Sequence, residues 1–163
     1  ARIYADDWGV GSIGLRPYVV YGVARDQGVS ADCAKAILAA AAGVPFHIRF
    51  SGEIALQHAS DVAEIFIRCA DAGATEARIC NLRNDVITVA EFVELLRRTY
   101  PEAEITCEPA APLPFPADLA GDGLQNSLGD VPHTPLETAI ARDVAMYRSL
   151  LDAGKLDLDQ LTR

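Results

Sequence analysis

The chain has 163 residues, half of them hydrophobic, and a formal net charge of −9. That apolar content is enough for one domain with a proper core and excludes a disordered segment. The acidity argues against nucleic acid and anionic membrane as partners, because both require a basic footprint on the protein.

Taken in chain order, "ARIYADDW" reads as the last turns of a helix. It opens in mid-pattern with no N-cap, which predicts a helix begun upstream of residue 1. Asp6 and Asp7 fall near a helix C-terminus, where the macrodipole disfavours them, and read as a solvated helix end rather than paired catalytic carboxylates. Gly9 suits the residue just past that end. The run "GVGSIG", Gly9 to Gly14, then fits G-x-G-x-x-G letter for letter. That pattern holds a pyrophosphate only where a strand precedes it and a helix follows, so that the anion rests on the helix N-terminus. Here a helix precedes and a strand is predicted from near Ile13, so the run reads as a helix-to-strand connection. "SIGLRPYVVYG" predicts one strand buried on both faces, as in a parallel sheet. Such a strand lacking neighbours leaves an open edge, which predicts a dimer, a domain swap or a second polypeptide against it.

"VARDQG" reads as a loop, after which Ser30 caps the helix "ADCAKAILAAAA" and Gly43 ends it. "FHIRF" and "IALQHA" are short strands flanking a turn at Ser51 and Gly52. Ser60 caps a helix that presents Val62, Ile65, Phe66 and Cys69 on one face, with Asp61 in a structural role at its N-terminus. "ARICNL" is a strand. Thr88 and Glu91 form a capping box for "VAEFVELLRRTY", whose stripe of Val89, Phe92, Val93 and Leu96 is core. "EITCE" is a strand, and residues 109–132, rich in Pro, Gly and Asp, form a long ordered loop or lid. Thr134, Pro135 and Glu137 predict a cap, an N1 proline and a capping-box glutamate. The helix they start carries Leu136, Ile140, Val144, Tyr147 and Leu151 on one face and ends at Gly154.

Cys33, Cys69, Cys80 and Cys107 form no C-x-x-C pair, and His47, His58 and His133 show no metal-ligand spacing. The expectation is reduced thiols, no metal site and a cytoplasmic protein. No stretch is long and apolar enough to span a bilayer, and no signal peptide is visible. His58, Ser60 and Asp61 are too close in sequence to converge as a triad, and no G-x-S-x-G elbow exists.

"GLRPYVVYG" followed by "RDQG" resembles the second half of an extended short-chain dehydrogenase/reductase, the NAD-dependent epimerase/dehydratase family. The likeness continues through "QHASDVAEIF", "ICNLRNDVITVAEFVELL" and "LGDVPHTPLETAIARDVAMY", and so covers nearly the whole chain. It implies an α/β fold: partial Rossmann-type parallel sheet strands plus the small C-terminal substrate-binding α/β subdomain. Residues 1–50 would be the tail of the Rossmann-type domain, residues 51–163 the substrate-binding subdomain with remaining sheet elements, and the chain a fragment of a longer one. The cofactor would be NAD or NADP in the intact enzyme and none in this chain alone. The substrate would be a carbohydrate-type small molecule, and the partner a missing N-terminal half or a second protomer.

The family's catalytic Tyr-x-x-x-Lys pair does not occur here; Tyr21 and Arg25 have its spacing, but arginine does not replace that lysine. The resemblance therefore assigns no catalytic residue to this chain. It places the backbone around Pro17, Tyr18 and Val20 against the nicotinamide. It places Val19, Arg25, Gln27 and Gln57 on the substrate side, Val19 standing where the family often has a substrate-binding Asn. Ile54 stands where nucleotide-sugar members carry a phosphate-clamping Arg, and Val23 and Ala24 replace a Pro-Gly; both differences point to a smaller sugar, sugar acid or polyol acid. The alternative is a stand-alone, non-catalytic binding or interaction domain derived from the family.

Overall fold

A computed structural model describes residues 1–162. Gly9 closes helix α1 (Arg2–Trp8) in the left-handed conformation, φ 64°, and strand β1 (Ser12–Arg16) begins three residues later. Strand β2 (Val19–Tyr21) leads through a loop to helix α2 (Asp32–Ala42). Strands β3 (Phe46–Ile48) and β4 (Glu53–His58) and helix α3 (Ala59–Asp71) follow. Strands β5 (Ala77–Asn81) and β6 (Asp85–Thr88), helix α4 (Val89–Thr99) and strand β7 (Ile105–Cys107) come next. Helices α5 (Asp122–Leu128) and α6 (Leu136–Asp152) and a 3-10 turn over Leu158–Thr162 complete the chain.

The architecture is α/β with mainly parallel strands. β1 pairs with β5, β2 with β4, and β3 with β7, each in parallel, while β6 runs antiparallel against β4. Residues 12–21 are therefore not the single strand the hydrophobic run predicts. Pro17 has no amide hydrogen for a ladder, and its fixed φ turns the chain, so β1 and β2 join different sheets. Burial differs accordingly. Val19 and Tyr21 of β2 are buried, whereas β1 has half-buried Ile13 and Leu15 with exposed Gly14 and Arg16. Beside Gly14, Ile79 of β5 is 63% exposed, so one face of the β1–β5 pair lies open.

The main core gathers β2, α2, β3, β4, α4, β7 and α6. Its large members include Ile37, Leu38, Ile48, Leu56, Phe92, Leu96 and Tyr147, and burying each such side chain contributes about 1.5–3 kcal/mol. The alanine-rich α2 is buried from Asp32 to Ala41 and packs against α6. A second core joins Val62, Ile65 and Cys69 of α3 with Cys80, Leu82 and Leu124. Phe66, expected on that face, is 51% exposed. The four cysteines make no disulfide. Among the described residues no helix is long and apolar enough to cross a membrane.

The caps divide. At α4 the predicted box is present: Glu91 N–H donates to Thr88 Oγ1 at 3.1 Å and Thr88 N–H to Glu91 Oε2 at 2.8 Å. The other three predicted caps are corrected. Helix α2 starts after Ala31, not Ser30, because Ala31 N–H turns back onto Gly28 O. His58 occupies the N-cap of α3, and the Ser60 hydroxyl bonds its ring. Helix α6 starts after Pro135 with no side-chain cap. Thr134 is instead held by Asp61, which accepts its N–H and its hydroxyl, each at 2.7 Å, and Glu137 pairs with Arg98. Leu136, Ile140, Val144 and Tyr147 are buried as their spacing predicts, and Leu151 is half-buried.

Candidate functional site

In open α/β sheets ligands bind beyond the carboxyl ends of the parallel strands. Here those ends are held together by one side chain. Gln57, wholly buried on β4, accepts the Tyr18 N–H at Oε1, 2.7 Å, and donates from Nε2 to Leu82 O, 2.9 Å. An amide can both accept and donate, so it satisfies an orphan N–H after Pro17 and an orphan carbonyl after β5 at once. The clamp thereby fixes the exits of β1 and β5 relative to β4.

The returning loop is tied over the same exits at three points. The Tyr18 hydroxyl donates to Phe115 O at 2.9 Å, and the two rings meet edge to face with centroids 5.1 Å apart. Asn81 Nδ2 donates to Ala120 O at 3.1 Å. Arg83 pairs with Asp118 at 2.7 Å. Partial burial raises the Tyr18 pKa, so the phenol stays protonated near neutrality and serves as a donor. Between the end of β5 and α5 lies a cavity of about 570 Å³ whose lining includes Asn81, Arg83, Asp122, Gln125 and His133. These are donors and acceptors suited to hydroxyl groups.

Of the sequence-assigned residues, the structure brings together Tyr18 and Gln57, with Pro17 exposed and Val20 half-buried beside them. Val19 turns into the main core and is fully buried. Arg25 and Gln27 are exposed on the loop after β2. Gln27 lines a different cavity, of about 580 Å³, with Val29, Arg49 and Phe50. The Arg49 guanidinium there is gripped by buried Asp32 at 2.9 and 2.8 Å, which raises its pKa. Ile54 is fully buried. Asn81, Arg83, Phe115 and Asp118 carry no role individually assigned by the sequence, although the family-like runs "ICNLRN" and "PFPADL" contain them.

Gly9–Gly14 is a helix-to-strand connection, as its order predicts. A Cβ on Gly11 would collide with the Ala74 backbone, and no helix starts at this run to receive a pyrophosphate. The run therefore lacks the helix N-terminus on which a dinucleotide's phosphates would rest. Among the described residues no group of His, Cys, Asp and Glu is placed to hold a metal ion.

No family model and no curated protein matches the chain. Solved structures do. UDP-N-acetylglucosamine 4-epimerase from Bacillus cereus superposes with a TM-score of 0.66 at 14% identity, covering 95% of this chain and 50% of its own. A GalE-like L-threonine dehydrogenase from Cupriavidus necator, in holo form, gives 0.71 at 16% identity, covering 88% and 50%. MoeE5, solved with UDP-glucose and NAD, gives 0.68 at 22% identity, covering 85% and 48%. The chain spans about half the length of the structures it matches, and its fold is the fold of that half of an epimerase- or dehydrogenase-type chain.

Proposed function

We propose that this chain is the substrate-side half of an NAD(P)-dependent epimerase, dehydratase or dehydrogenase acting on a sugar, sugar acid or polyol acid. The observation that carries the reading is the Gln57 clamp, which holds the strand exits under a tied loop where α/β sheets bind ligands. NAD(P), when bound, accepts a hydride from a carbinol carbon. This chain's own residues would shape the place where that happens. The Pro17–Val20 backbone forms the wall beside the reacting ring. Its Tyr18 amide is already committed to Gln57, so the wall is rigid rather than free to shift. Arg25 stands on the exposed loop after β2, Gln27 faces the separate cavity beside Arg49, and the polar cavity between the end of β5 and α5 takes the hydroxyl groups.

In this reading residues 1–50 are the tail of the dinucleotide domain, residues 51–163 the substrate subdomain, and the setting is the cytoplasm. The apolar Val19 and Ile54, both sealed in the core, supply none of the donors that a nucleotide-diphosphate sugar needs, which favours a smaller substrate. The absent Tyr-x-x-x-Lys pair and the departures at Val19, Val23, Ala24 and Ile54 motivate the alternative, a stand-alone, non-catalytic binding or interaction domain. Sequencing upstream of Ala1 separates the two. The first reading expects a strand, a glycine loop, a helix and then Tyr-x-x-x-Lys, and a lengthened protein that reduces NAD(P)+ with a sugar or sugar acid. Unrelated upstream sequence, or a stop codon, overturns it.

A further inference from the structure

His58 and Ser60 are neighbours in sequence, yet the third group that completes their geometry comes from a different element. Ser60 Oγ lies 2.7 Å from His58 Nδ1, and His58 Nε2 lies 3.1 Å from Asp143 Oδ1 on α6. Asp61 plays no part, because both its oxygens are taken by Thr134. A carboxylate only accepts, so in the neutral imidazole Nε2 carries the proton and Nδ1 is left to accept the serine hydroxyl. Asp143 is 5% exposed and His58 8%, while Ser60 is exposed. The base and its orienting acid are therefore shielded, and the serine stands at the exposed end of the row. Asp143 Oδ2 has no hydrogen-bond partner among the described residues, so this buried carboxylate is directed at His58 through Oδ1. Ser60 also stands in the first turn of α3, a helix of 13 residues whose N-terminus has no side-chain cap. Backbone N–H groups there are open to a developing oxyanion.

We propose that Ser60, His58 and Asp143 form a nucleophilic site for acyl transfer from small carboxylic esters, independent of the dinucleotide reading. Ser60 Oγ attacks the ester carbonyl carbon as its proton moves to His58 Nδ1. The bond to the alkoxide then breaks, and the alkoxide takes that proton and leaves as an alcohol. Water attacks the acyl-serine, giving a proton to Nδ1; the acyl–Oγ bond breaks, the proton returns to Oγ, and the carboxylic acid departs. Asp143 keeps the Nε2 proton hydrogen-bonded throughout and stabilises the imidazolium.

The test is labelling of the folded chain by a fluorophosphonate, read by intact mass and peptide mapping. The expected result is a single adduct on Ser60, formed roughly 10²-fold or more faster than in the urea-unfolded chain and absent in Ser60→Ala. Because Ser60 is exposed, that variant keeps the fold, which circular dichroism checks. Asp143→Asn should slow labelling by roughly 10-fold or more. Should that variant unfold, the comparison of wild type in buffer and in urea, with Ser60→Ala alongside, decides by itself. Labelling no faster than in urea, an adduct that survives Ser60→Ala, or folded Asp143→Asn reacting at the wild-type rate each overturns the proposal.

Discussion

Replacing Gln57 probes the clamp at the strand exits most sharply. Gln57→Leu preserves approximate volume but leaves the Tyr18 N–H and the Leu82 carbonyl without partners. An orphaned buried group costs about 1–3 kcal/mol. Leu82 is 1% exposed and bears that cost in full, while half-buried Tyr18 recovers part of it from water. The expected destabilisation is roughly 2–4 kcal/mol, a large share of the ~5–15 kcal/mol that holds a domain together. It corresponds to a fall in Tm of about 5–15 °C for a chain of this size. Gln57→Glu refines the test. A carboxylate still accepts from Tyr18 but faces the Leu82 carbonyl without a proton, whereas a neutral carboxyl can donate to it. The folded pKa of the introduced carboxyl is therefore raised above the ordinary glutamate value of about 4.3. The variant should be close to wild type below that value. It should lose stability as pH rises from there through the folded pKa. Urea denaturation of both proteins at about pH 4 and about pH 8, on either side of that window, reads the difference. An equal gap at the two pH values, or a Gln57→Leu cost under about 0.5 kcal/mol, refutes the clamp.

Three further outcomes follow from other parts of the chain. Ala24 is the only non-glycine residue with positive φ, at 72°, among the described residues; Ala24→Gly should be stabilising by up to about 1 kcal/mol, the relief of left-handed strain less glycine's entropy cost, as measured by urea denaturation. Thr88→Ala should cost about 1 kcal/mol in the same assay. The Glu91 carboxyl is held below its usual pKa by the Thr88 N–H and hydroxyl, so its contribution is present above the ordinary glutamate pKa and is lost as pH falls through the folded one; the variant should show a shallower acid loss. The open face and unpaired edge of the β1–β5 pair should promote association, so light scattering at high concentration is expected to show a species larger than the monomer, and a compact monomer counts against that reading.

Most of the element order was legible because it is written in local chemistry. Gly9 and Gly43 end helices in the left-handed conformation, and Thr88 with Glu91 starts one. Local chemistry misled where a distant partner claimed the group. Thr134 looks like a cap but is taken by Asp61, 73 residues away in sequence. The run from Ser12 to Tyr21 looks like one strand because hydrophobicity masks the break at Pro17. β6, four residues of half-buried DVIT, is too short to show alternation, and α5 hides in a stretch rich in Gly and Asp. A lone glutamine in an apolar strand announces no role, and only the family resemblance marks Gln57. Arg83, Phe115 and Asp118 gain meaning only once the loop returns over the sheet. The pairing of His58 with Asp143 spans 85 residues and leaves no trace in spacing.

The glycine run is a connector, and in the proposed function the ligand end of the molecule lies at the clamped strand exits. Following backbone amide resonances while titrating the chain with NADH tests it directly. No tight binding is expected, with any weak shifts confined to Tyr18–Val20, Gln57 and Leu82. Saturable, high-affinity shifts at Gly9, Gly11 and Gly14 would contradict it.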